Sequence, residues 1–520
     1  MTIVKAVFGG FQASNAARHF GTLRGAPSLT FRGIENLFLV LWLCIGLLAA
    51  VVSPAGFGKD EATHVARASQ IAQGVFLPQE VSVGEIDKSF LSVSEEYSQD
   101  KIFGGSEDKS MFDLLRVGSR IIREGTEDVS AIQLSSPYWA DDAFADIGLL
   151  GEGDVVWAFP NTSVNSPLCY IPYSVAYFLA TLLSRSPIFA LILMRLLGVL
   201  AYGLLVRFAI KNAPFGKNAM AFLALLPNCV AVCSMVSADM MTIAVSFVFF
   251  SYLLRALFYY RELKCRDFVL FGSSLCLLAL LKMPYIIFGL ALILVFVVNR
   301  LWTDRRETAK LALMGGLALG FFLAWQCVIR GINTYAIWGI SGVDSHAQLA
   351  YVCKNLLPTA GSILGNIFNS DLGLLGLNDY CAKGFPSWLV LVAAVCVVSV
   401  DVRDLSRCQS KRFVAVCLLL LAGFVIVVIN LALYLTFTPV GDSQVCGMQS
   451  RYYVPALIPL FIALILLCSK DRTDGRASEC VADSAEDVLA NTGIVTAPMA
   501  VLFVLMFAFA LRMFSIWLPL

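Results

Sequence analysis

The stretch LCYIPYSVAYFLATLLS, residues 168–184, is apolar enough to cross a membrane. Whether it does so fixes the side on which every later loop lies. Comparable apolar runs of about 20 residues, enough to cross a hydrocarbon core, recur along the 520-residue chain near 37–53, 188–207, 218–236, 241–260, 267–281, 284–299, 308–328, 387–401, 413–435, 452–469 and 496–516. Composition agrees: 58% of residues are hydrophobic and 14% charged. Short loops rich in Lys and Arg stay in the cytoplasm. Arg207, Lys211 and Lys217 form one such cluster, and Arg255, Arg261, Lys264 and Arg266 the next. Arg300, Arg305, Arg306 and Lys310 follow, and then Arg403, Arg407, Lys411 and Arg412. The connections between them (237–240, 282–283, 436–451) carry only Lys282 and Arg451.

If 168–184 were a full span with the basic N-terminal segment (Lys5, Arg18, Arg24, Arg32) inside, all of those clusters would face outward. The run is therefore expected to be an interfacial or partly inserted helix, with Tyr170, Tyr173 and Tyr177 at headgroup level. The expected fold is an all-α polytopic membrane protein of about eleven transmembrane helices, twelve if 168–184 spans. The first run reads as a retained helix rather than a cleaved signal. The N-terminus then lies inside and the C-terminus outside, with large external segments at 54–187 and 329–386. The 15 cysteines show no paired C-x-x-C spacing, and Cys353, Cys381 and Cys446 fall in polar loops. A net charge of +1 gives no argument for a nucleic-acid partner. No Walker or Rossmann fingerprint is present, and the triplet NTS at 161–163 matches a glycosylation acceptor.

Ionisable residues at the edge of an apolar zone are costly and commonly functional. GFGKDEATHVARA, residues 56–68, follows the first run and places Asp60, Glu61, His64 and Arg67 within eight positions. On a helix Asp60, His64 and Arg67 share one face, although Asp60 is equally suited to cap that helix. Two histidines one helical turn apart, as a zinc peptidase requires, are absent. Arg195 lies within an apolar run, where an arginine can also snorkel. Asp239, Lys282 and Arg451 sit at short turns, and the charge pattern puts all of these residues on the outer side. Cations there suit a phosphate-linked leaving group, and a carboxylate suits a hydroxyl acceptor. A lipid-phosphate-linked sugar meets both requirements.

Together these residues resemble the polytopic GT-C glycosyltransferases, which use polyprenyl-phosphate sugars. More specifically, the chain resembles the bacterial membrane family "domain of unknown function 2142". The likeness rests on Asp60, Glu61, His64, Arg67 and Ala68, on LLPNCVAVCSMVSAD (225–239), LLKMPY (280–285), LGLLGLND (372–379) and GMQSRYYVPALIPL (447–460). Ser450 stands where Gly is expected, and Lys59 where Pro is expected. The resemblance implies Asp60 as catalytic base, with Glu61 or His64 positioning it. It implies substrate contacts from Arg67, Arg195, Asp239, Lys282, Tyr285, Gln449, Arg451 and Tyr452, with Arg195, joined by Lys282 or Arg451, on the lipid phosphate. A divalent cation stays undecided; magnesium or manganese would suit Asp60, Glu61 and Asp239. The implied partners are the bilayer of a bacterial plasma membrane, a polyprenyl-phosphate sugar donor, and a glycan, glycolipid or protein acceptor. A transporter or flippase of a lipid-linked saccharide, and an envelope polymerase or ligase, are the alternative readings.

Overall fold

The computed structural model describes residues 33–89, 100–124, 142–334, 340–369, 387–403 and 411–469. The N-terminal basic segment, the expected span at 496–516 and the motif at 372–379 lie outside the described residues.

The chain is mostly helical. Six described helices are long and apolar enough to cross a membrane: α1 (Ile34–Val52), α5 (Pro187–Asn212), α8 (Ala238–Phe258), α11 (Arg305–Val328), α15 (Lys411–Thr436) and the stretch Ser450–Cys468, whose regular part is α16 (Val454–Cys468). Their starts follow capping chemistry. Ser186 and Pro187 open α5, Ser237 accepts from the backbone N–H of Asp239 at the start of α8, and Asp304 does the same for α11. In each, a side-chain oxygen satisfies a backbone donor that the first turn leaves unpaired.

Other expected spans differ from a single long helix. Residues 218–236 form two short helices, α6 (Lys217–Ala224) and α7 (Pro227–Cys233). Pro227 ends continuity, since it has no N–H to give and its ring clashes with the preceding turn. Residues 284–299 begin as a 3-10 turn at Met283–Leu290 and become helical only in α10 (Ala291–Val298). The helices α9 (Cys265–Leu281) and α14 (Ser387–Arg403) have 17 residues each, which is about 26 Å of rise.

The deciding stretch forms α4 (Ile171–Leu183), 13 residues long. At about 20 Å it is too short to cross a hydrocarbon core of about 30 Å. The tyrosines Tyr170, Tyr173 and Tyr177 face the protein rather than its surroundings, while Ile171, Val175, Phe178, Leu182 and Leu183 are exposed. The hydroxyl of Tyr173 donates to the Met235 carbonyl. The helix thus presents an apolar face outward and an aromatic face inward.

A small unit of helices and strands occupies the interval between α1 and α4. It comprises α2 (Glu61–Ala72), α3 (Lys109–Glu124) and a three-stranded antiparallel sheet of β1 (Gln79–Ser82), β2 (Lys101–Asp108) and β3 (Asp154–Ala158), in the order β1-β2-β3. Trp157 of β3 and Phe112 of α3 pack edge to face, with ring planes at 87°. A second helical pair, α12 (Ser345–Lys354) and α13 (Leu356–Asn369), runs beside the end of α15. There Asn366 donates to the fully buried Asn430, which in turn donates to the Tyr453 hydroxyl.

The two ends of the bundle have different chemistry. At one end Arg207 is bonded to Asn36, Asn218 to Asp401, Lys411 to the Ser469 carbonyl, and Arg255 is paired with Asp267. At the other end the C-terminus of α1, the N-termini of α5 and α8, the C-terminus of α9 and the start of the Ser450–Cys468 stretch come together.

Candidate functional site

The second end is where the motif GFGKDEATHVARA lies. Gly56 takes a positive φ of 74°, a conformation open to glycine at little cost. Gly58 lies where an added Cβ would come within 2.8 Å of the Met235 Cβ. The loop therefore presses against the turn that precedes α8, where Glu61 accepts from the backbone N–H of Val236.

Glu61 and Arg195 form one unit. Arg195 donates from Nε to Glu61 Oε1 at 2.8 Å and from Nη2 to Oε2 at 2.7 Å. Its other N–H groups go to the carbonyls of Ala50, Ser53 and Pro54. Glu61 also accepts from the backbone N–H groups of Gly58 and Val236. All five guanidinium donors are occupied and the pair is shut off from solvent. Arg195 has no donor left for a lipid phosphate, so the expected phosphate contact is corrected to a structural one.

Asp60 is not a side-chain cap. Its backbone is left-handed, with φ of 60°, and its carboxylate makes no capping bond. Instead Oδ2 accepts from Arg451 Nη2 at 2.8 Å, while Arg451 Nη1 donates to the Lys59 carbonyl. Arg451 Nε faces Asp239 Oδ2 at 2.7 Å, an electrostatic contact rather than an aligned hydrogen bond. The other Asp239 oxygen is paired with Lys282. Because Ser237 caps α8, the Asp239 side chain is spared for these cations. The ammonium of Lys282 lies 4.1 Å from the centre of the Tyr452 ring, a favourable placement over an aromatic face. Tyr285 holds that residue by donating to the Tyr452 carbonyl at 2.8 Å. The order Lys282, Asp239, Arg451, Asp60 is thus an alternating row of charges. Gln449, just before Arg451, has a buried Oε1 with no hydrogen-bond partner among the described residues.

His64 stands beside this row. Its Nδ1 is 2.7 Å from the Tyr170 hydroxyl, which also accepts from Asn165. Burial pushes the imidazole down to about 4, against the opposing pull of the Asp60 carboxylate, so it is neutral at neutral pH. Tyr170 and Asn165 escape a charge-based reading because neither is charged; the polar run NSPLCY between β3 and α4 is their only trace.

Arg67 does not join the row. It bonds Gln70 and the carbonyls of Val75 and Phe76, closing the end of its own helix. The triplet at 161–163 is no open glycosylation acceptor: Asn161 donates to Thr63, and Thr162 and Ser163 are buried. Cys353 and Cys446 are free thiols.

Asp60, Glu61 and Asp239 do not form a metal-ligand set. Glu61 is turned to Arg195, and the other two share Arg451. Among the described residues no three His, Cys, Asp or Glu side chains are grouped so as to hold a metal ion.

The family model described as "Predicted membrane protein (DUF2142)" matches residues 43–460. The chain belongs to this family. The match takes in every residue of the charged row and the Arg195–Glu61 pair. No curated protein and no solved structure matches the chain.

Proposed function

We propose that this DUF2142 protein is a membrane glycosyltransferase of the GT-C type. It moves a sugar from a polyprenyl-phosphate donor to a cell-envelope acceptor on the outer face of a bacterial plasma membrane. The observation that carries this reading is the pairing of a carboxylate, Asp60, with a two-cation cluster, Lys282 and Arg451, at the end of a membrane bundle. Cations there stabilise phosphate oxygens as a leaving group forms, and a carboxylate within reach takes a proton from a hydroxyl. The acceptor oxygen bonds to the anomeric carbon as the bond from that carbon to the phosphate oxygen breaks. The electron pair leaves with polyprenyl phosphate, and the hydroxyl proton passes to Asp60. His64, neutral and held by Tyr170, lines the Asp60 side of the site.

The test is transfer by the purified protein from polyprenyl-phosphate sugars to envelope acceptors, comparing wild type with Asp60→Asn. A folded Asn variant that transfers at the wild-type rate would remove Asp60 as the base. One feature favours a second reading, transport of a lipid-linked saccharide: helices interrupted within the membrane, as at Pro227, recur in transporters. Movement of such a lipid across vesicles with its sugar-phosphate bond intact would favour that reading.

A further inference from the structure

We infer that Asp60 occupies, in the free protein, the position on Arg451 that the donor's phosphate takes, so that donor binding releases the carboxylate for the acceptor. This rests on the reading of Lys282 and Arg451 as the phosphate-holding pair. The exposure of the row is uneven. The Arg451 and Asp239 side chains are 2% and 3% exposed, whereas Asp60 and Lys282 are 18% and 23% exposed. An arriving anion therefore meets Lys282 first, and the next cation along the row is Arg451, whose Nη2 is held by Asp60. Two carboxylates balance two cations as the row stands. A phosphodiester bridging both cations with nothing displaced would set three anions against two cations in a partly desolvated place, and like charges there repel strongly.

Asp60 is the anion free to leave. Asp239 is buried between both cations, whereas the Asp60 carboxylate makes no capping bond and accepts from Arg451 alone among the described side chains. Once displaced, its oxygens are open to a hydroxyl. The order of events is then built into the row: phosphate first, proton acceptance second. Before the donor arrives, the carboxylate is spent on Arg451.

The experiment measures binding of farnesyl phosphate to the detergent-solubilised full chain by titration calorimetry, with farnesol and inorganic phosphate as separate arms. Asp60→Asn and Asp60→Ser, each checked by its unfolding midpoint, are expected to bind farnesyl phosphate at least about tenfold more tightly than wild type, since a competing charge pair of ordinary strength is gone. In an Arg451→Gln background the gain is expected to vanish. Folded Asp60 variants that bind no more tightly overturn the exchange, as does a gain that persists undiminished without Arg451. If both variants fail to fold, Asp60 is a fixed partner of Arg451 and the exchange is overturned too. Equal gains for inorganic phosphate support the exchange and assign it to free phosphate. Tighter binding by the Asp60 variants, with no transfer by wild type to any acceptor, supports the exchange and removes the transferase reading. Absence of farnesyl phosphate and phosphate binding in every form removes both.

Discussion

Arg195 and Glu61 lie 134 residues apart in sequence and meet through two hydrogen bonds of 2.8 and 2.7 Å with both side chains fully buried. Removing one partner of such a pair strands a charge in a medium that solvates it poorly, at a cost of about 3–5 kcal/mol. Glu61→Gln and Arg195→Met are each expected to lose stability on that scale, read as a lowered unfolding midpoint in detergent. The Glu61→Gln, Arg195→Met double variant should lose less than the sum of the two, because it leaves no lone charge. A well-folded Arg195→Met protein with weakened farnesyl phosphate binding would return Arg195 to the phosphate.

Lys282 carries the opposite expectation. It is partly exposed and donates to one carboxylate, so Lys282→Gln should disturb folding less than Arg451→Gln, which abandons both Asp60 and Asp239. Its effect on transfer should be large: losing one donor to a developing anion lowers the rate by about 10²–10³-fold. The comparison is made by turnover with a polyprenyl-phosphate sugar and by unfolding midpoint on the same preparations. Unchanged turnover in Lys282→Gln would take Lys282 out of the phosphate site.

What the sequence made legible was the set of charges and the end of the bundle they share. Asp60, Asp239, Lys282 and Arg451 stand out because charge is expensive beside apolar runs, and they do meet. Their pairing was not legible. Arg195 looked as available as Arg451, and only the carbonyls of Ala50, Ser53 and Pro54, which carry no side-chain signal, reveal that it is saturated. Arg67 shares a helical face with Asp60 by spacing, yet a long side chain can fold back to its own helix end. The interruption at Pro227 is visible as a proline, but the apolar character of 218–236 continues on both sides of it and reads as one span. The inward tyrosines of α4 show the same limit. Periodicity distinguishes two faces of a helix whose surroundings are apolar on both sides, but it does not say which face meets protein.

Acidity should reveal two of the buried titratable groups near α2, Glu107 and His64. Glu107 on β2 accepts from Ser69 at 2.5 Å, and burial pushes it up to about 8 from an ordinary 4.5. Between those values the folded chain holds a proton that the unfolded chain has lost, so stability falls as pH rises. His64 works in the other direction: with about 4 in the fold against 6.5 outside it, stability rises with pH across that window. The two oppose one another in the overlap, and from about pH 6.5 to 8 the loss from Glu107 acts alone. The wild-type unfolding midpoint should decline over that last interval, and Glu107→Gln, which keeps a partner for Ser69, should flatten the decline. The size at stake is on the order of a few kcal/mol. A Glu107→Gln variant that declines in parallel with wild type would trace the slope to another group.

Sidedness gives the last expectation. The charged row, the sheet and α4 share one end of the bundle, while Arg207, Arg255 and the Arg305–Arg306 pair belong to the other. Basic residues in short connections favour the cytoplasm, so the row is expected on the outside. Glu80 on β1 and Arg305 at the start of α11 are both exposed and stand at opposite ends. With the exposed Cys44, Cys265, Cys327, Cys353 and Cys468, and also Cys381, Cys408 and Cys480, replaced by serine, Glu80→Cys should react with a membrane-impermeant maleimide in intact cells. Arg305→Cys should react only after the membrane is opened. The reverse pattern would place Asp60 and its cations in the cytoplasm, where a lipid-linked donor would have to be met on the inner leaflet. That outcome would leave the chemistry of the row intact and overturn its assignment to the outer face.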